Sequence, residues 1–164
     1  MDREWPDTDA ADELGLLTQF LTFLRSTVVN KIAGLDAGPA GAAPLATSPV
    51  VSLTGVVKHL TAVERHWLCN VGGGAGLPEL WEKDPDAEWR LRAGDTPAAV
   101  VAAYRAEWAR ADRALAGRSP GDRVEDRGQR FTVRWVLTHV IQETARHVGH
   151  LDVLREFADG QRGE

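Results

Sequence analysis

Leucine and valine recur at spacings of three and four along the first stretch of the chain: Leu14, Leu17, Leu21, Leu24 and Val28. That spacing is the signature of an amphipathic helix with one buried stripe. It predicts a helix from about Thr8 to Ala33, capped by Thr8 or Asp9 and stopped at Gly34. A second helical pattern starts near Ser52 and ends before Gly72-Gly73-Gly74, with Val56, His59, Leu60, Val63, His66 and Trp67 on one face. A third starts at Thr96, a good N-cap followed by Pro97, and continues through Tyr104 and Trp108 to about Ala116. The fourth opens with Thr132 as cap and runs to Ala158, with Gly160 as its stop.

The intervening segments read as loops. Asp36 to Pro49 is rich in Gly, Ala and Pro, and Gly117 to Arg130 is charged. Gly72 to Asp95 is irregular, with Pro78, Pro85, Trp81 and Trp89, and a short helix is expected near Asp86 to Arg90. No strand pattern of convincing length and no internal repeat stands out. Four long helices in one chain predict an all-α four-helix bundle, with residues 1–164 as a single domain.

The fourth helix is polar where an ordinary bundle helix would be apolar. On a helical wheel, Trp135, Val136, Val140, Leu151 and Leu154 mark the buried side. His139, Glu143, His147 and His150 fall on that same side. Ionisable groups directed into a core are costly unless something pairs them. A bound cation would pair them, and so would a His–Glu hydrogen-bond network without metal. Glu143 and His147, four apart, emerge one above the other, so one ion can be gripped by both. His139 with Glu143, or His147 with His150, has similar spacing, and the wheel does not choose. His59 or His66 of the second helix can supply a ligand from across the bundle. Two histidines and a carboxylate would leave coordination positions open, as a catalytic metal requires.

Charge and composition narrow the field. A net charge of −5 and no basic cluster interleaved with aromatics argue against nucleic-acid binding. No apolar run approaches the length of a membrane span. The acidic N-terminus, MDREWPDTDAADEL, does not resemble a secretory signal, so a cytoplasmic location is expected. Cys69 is the only cysteine, which excludes an intrachain disulfide and a cysteine-based zinc site.

Two stretches resemble the DinB/YfiT-like superfamily of metal-binding four-helix proteins: Leu53-Thr54-Gly55-Val56-Val57-Lys58-His59-Leu60-Thr61-Ala62-Val63-Glu64-Arg65-His66-Trp67, and Arg134 to Asp152 with its Glu143-Thr144-Ala145-Arg146-His147-Val148-Gly149-His150 core. The second is similar to an actinobacterial branch with a Glu-Thr-Ala-Arg-His-x-Gly-His signature. The resemblance implies His59, Glu143 and His147 as metal ligands. Many members have His where Glu143 stands; mycothiol-dependent maleylpyruvate isomerases, similar in their N-terminal domain, have Glu. His139 and His66 then become supporting or core residues, and His150 occupies a position where relatives often have Gln. The implied cofactors are a divalent metal, zinc foremost with nickel or iron as alternatives, and a thiol cosubstrate such as mycothiol.

The implied activity is a metal-dependent thiol S-transferase acting on an electrophilic small molecule, the metal holding the thiol as thiolate. A water-activating metal hydrolase and a non-enzymatic, stress-related metal-binding protein are the alternatives. Beyond the ligands, Arg146 is expected to pair with Glu64 or to steady an anionic group, and His150 to orient a ligand or donate a proton. Trp67 and Trp135 are expected in the core or around the metal pocket, and Trp81 and Trp89 at a pocket mouth or an oligomer surface. A homodimer is consistent with relatives.

Overall fold

The computed structural model describes residues 2–80, 84 and 86–163. These residues are mostly helical: α1 (Glu13–Ile32), α2 (Ala37–Gly41), α3 (Leu53–Val63), α4 (Pro97–Leu115) and α5 (Val133–Asp159). A π-helical segment, Glu64–Gly72, continues α3, and two short strands, β1 (Arg123–Asp126) and β2 (Gln129–Thr132), lie between α4 and α5.

Side-chain caps set the helix starts. Ser52 accepts from the Gly55 N–H, Thr96 from Ala99 and Thr132 from Trp135, each satisfying an amide that has no partner inside its helix. Asp12 does the same for Gly15, so α1 begins later than the Thr8 or Asp9 cap expected from sequence. Gly160 ends α5 at φ 78°, a left-handed conformation that glycine adopts without a Cβ penalty.

Three local elements depart from the sequence reading. The charged segment after α4 contains an antiparallel hairpin in which Val124 pairs with Phe131 and Asp126 with Gln129. Its two-residue turn, Arg127-Gly128, has both φ angles positive, 49° and 80°. Such a turn matches the strand twist, but Arg-Gly lacks the Asn or Asp that usually announces it. The Gly/Ala/Pro loop holds the one-turn α2. Around Asp86 to Arg90 the chain makes turns rather than a helix. Trp81 and Pro85 lie outside the described residues.

α5 packs against α1, α3 and the π segment, and α4 packs against α3 and the π segment. The buried apolar side chains form two clusters. One contains Val28, Ile32, Leu60, Tyr104 and Leu151; the other contains Leu21, Leu68, Ala111, Leu137 and Val140. On each long helical stretch a polar position falls between the two: Arg25 on α1, Glu64 where α3 gives way to the π segment, Glu107 on α4 and Thr144 on α5, all buried. Arg25 holds Glu64 through two hydrogen bonds, 2.7 and 2.5 Å, and also reaches Asp112. Arg65 and Arg110 donate to Glu107. A paired polar layer thus crosses the middle of the core. Glu64 is committed to Arg25, which removes the expected Arg146–Glu64 pair.

Candidate metal centre

His59 and the Glu143–His147 couple converge from two helices. His59 projects from α3, and Glu143 and His147 lie one turn apart on α5. The Nε2 atoms of both histidines face the same oxygen of Glu143, at 3.4 Å from His59 and 3.1 Å from His147. One donor atom from each of the three residues lies within 4.8 Å of the others. Ligands held tetrahedrally at zinc–nitrogen and zinc–oxygen distances stand about 3.3 Å apart. The two Glu143–histidine separations match that spacing.

Protonation suits the same purpose. Burial, with His59 nearby, pushes His147 down to about 4, so its imidazole is neutral and keeps a lone pair for an ion. Burial pushes Glu143 upward, but His147 and His59 outweigh it and hold the carboxyl below its usual value. Glu143 is therefore an anion at neutral pH.

A second ring of contacts orients the imidazoles. The His59 Nδ1 lies 2.9 Å from a carboxylate oxygen of Glu88. The Trp89 ring stacks on His59 with centroids 4.2 Å apart and planes 15° apart. His147 is steadied on its far side by His150, Nδ1 to Nδ1 at 3.2 Å. Glu88 and Trp89 sit in the irregular segment before α4. Sequence reasoning placed Trp89 at a pocket mouth or an oligomer surface and overlooked Glu88; no helical period links them to the ligands.

The remaining candidates separate from the trio. His66 turns to Glu79, 2.8 Å, and Asp126, 3.4 Å. It lies in the π segment and lines the same cavity as His59, but its ring nitrogens are taken up by these carboxylates rather than turned to the trio. His139 is half-buried, stacked on Trp135 and edge-on to Trp67, away from the three ligand atoms. His150 is exposed, not inward. Trp135 is 45% exposed and packs with Phe131 of the hairpin, so it does not wall the trio. The wheel placed all of these on the buried side because it measures direction about one axis, not what stands opposite.

Two cavities adjoin the centre. One, of about 600 Å³, is lined by His59, His66, Trp67, Glu79, Glu88 and Arg127. The other, of about 420 Å³, lies along α5 and includes His147, His150 and Trp89. Cys69 belongs to neither; it is buried beside Glu107, 3.5 Å away, and burial and that carboxylate push its thiol up to about 12. It is not a nucleophile at neutral pH. No helix among the described residues is long and apolar enough to cross a membrane.

Residues 16–160 match the family model described as Mycothiol-S-transferase. A search of curated proteins finds no match to the chain.

Proposed function

The chain belongs to the mycothiol-S-transferase family, a DinB/YfiT-like family, and on that premise we propose that it is a metal-dependent enzyme joining a low-molecular-weight thiol, mycothiol foremost, to an electrophilic small molecule. We read residues 1–164 as one four-helix domain of that type, built on α1, α3 with its π extension, α4 and α5, and working in the cytoplasm, where such thiols stay reduced.

One observation carries the metal reading. His59 faces a carboxylate oxygen through each ring nitrogen, Glu88 at Nδ1 and Glu143 at Nε2. An imidazole that holds an ion through one nitrogen carries its N–H on the other, and needs an acceptor there. His59 has that arrangement: with a cation among His59, Glu143 and His147, the Nδ1–H donates to Glu88 and the Nε2 lone pair turns to the ion. Two imidazoles and a carboxylate suit zinc, with nickel and iron as the other candidates. When bound, such an ion stabilises a thiolate near pH 7 and leaves positions open for it.

The protein's own groups do the rest. Glu88 and His150 fix which nitrogen of each histidine faces inward. Trp89 covers one face of His59 and limits water there. In the reaction, the thiol proton passes to solvent and the sulfur forms a bond to the electrophilic carbon. The electron pair of the broken bond leaves with the departing group.

The test is a panel of electrophiles with mycothiol, glutathione or bacillithiol, following loss of free thiol and appearance of thioether mass, with and without a chelator. Thioether formation that chelation abolishes is the expected result. Silence across the panel would overturn the transferase reading; product without thiol consumption would replace it with hydrolysis.

A further inference from the structure

The cavity along α5 differs in character from its neighbour. Its walls are apolar, formed by Leu45, Val51, Trp89, Val153 and Leu154. One cation lines it, Arg146, immediately before the ligand-position His147. Arg25, Arg65, Arg134 and Arg155 are all committed to carboxylates. Arg146 has no hydrogen bond or ion pair with any described residue. It is an exposed guanidinium at the rim of an apolar cavity, without a partner among the described residues, in a chain of net charge −5.

The α5 positions explain how these properties coincide. Arg146, His147, His150, Val153 and Leu154 fall on one helical face, so a single stripe supplies the cation, an imidazole and the apolar wall. The cavity beside His59 adds to its apolar wall of Val63, Trp67 and Leu80 the polar groups His66, Glu79, Glu88 and Arg127, suited to hydroxyls and amides. Two substrates of unlike polarity can therefore approach the centre through different cavities. Trp89 lines only the apolar one, and Glu88 only the polar one.

Resting on the transferase reading above, we propose that the α5 cavity is the electrophile subsite, and that it takes an apolar molecule bearing one carboxylate, held by Arg146. The apolar body displaces water from Val51, Trp89 and Leu154, and the guanidinium supplies paired donors to the anion. The polar cavity is left for the thiol.

Binding can be tested without thiol and without turnover, so this proposal and the transferase reading can fail separately. The probes are 4-phenylbutyrate and its amide, titrated calorimetrically into the purified full chain. The wild type should favour the carboxylate by about tenfold, as expected of a charge-assisted bond. Arg146→Gln should abolish that preference while leaving the amide unchanged, and Arg146→Lys should retain part of it. Val153→Trp, a change at a surface residue of the cavity, should weaken both probes. Equal binding of the two probes by the wild type would overturn the proposal. So would a preference that survives Arg146→Gln, one that disappears only when the protein is chelated, or binding indifferent to Val153→Trp.

Discussion

His59 and Glu88, 29 positions apart, meet at 2.9 Å between the ring Nδ1 and a carboxylate oxygen. The contact comes from a segment with no regular structure, yet it decides which nitrogen His59 turns toward Glu143. A carboxylate behind a ligating histidine fixes its tautomer and raises its basicity. Glu88→Gln should therefore weaken metal binding by about ten- to hundredfold with little change in helical content. Competition against a chromophoric chelator, beside circular dichroism, measures both. Unchanged affinity would make Glu88 a bystander.

The converging trio predicts close to one divalent ion per chain and its loss on His147→Ala. Elemental analysis of untagged protein settles this, since a polyhistidine tag would carry metal of its own. Equal metal in wild type and variant would strike His147 from the ligand set.

Glu107 gives a pH signature. Burial pushes its carboxyl up, but Arg65, with the Cys69 thiol and Arg110, more than compensates and holds it below the ordinary glutamate value. A lowered folded-state value means that the unfolded chain takes up the proton first. The stabilisation is thus fully present above about pH 4.5 and fades as the pH falls through the lowered value. Glu107→Gln should cost about 2 kcal/mol at pH 7 and progressively less toward pH 3. Urea unfolding across that range reads the difference; a pH-independent cost would mean that charge plays no part.

Cys69 should resist thiol reagents. With its thiol pushed up to about 12 and its side chain buried, native protein at pH 8 should label only as fast as it unfolds. Rapid stoichiometric labelling of folded protein by a disulfide reagent would contradict that burial.

Gly73 marks a close approach of the chain after the π segment to α4. A Cβ there would lie 2.4 Å from the Ala114 Cβ and 2.9 Å from its carbonyl oxygen, backbone that cannot swing aside. Gly73→Ala should destabilise by about 1–3 kcal/mol, the usual cost of overpacking. Thermal unfolding checks it; a variant as stable as wild type would show the two segments free to separate.

The long helices were legible because their signals are local. Caps such as Thr96 and Thr132, the stop at Gly160 and apolar residues at three- and four-residue spacing act within a few turns of their own chain. The hairpin was not legible, since its Arg127-Gly128 turn lacks the usual residues and its strands are four residues each among charges. The π segment was missed because it carries the same residue types an α-helix would.

For the candidate site, periodicity alone offered several couples among His139, Glu143, His147 and His150, and two histidines, His59 and His66, on a second helix able to face them. Family resemblance singled out His59, Glu143 and His147. Only tertiary structure decided that His59 reaches Glu143 while His66 pairs with Glu79 and Asp126, that His150 is exposed, and that Glu88 and Trp89 close around His59. The reason is geometric: periodicity orients a side chain about its own helix axis, whereas a partner's identity depends on how separate elements pack and on loops whose paths no period encodes.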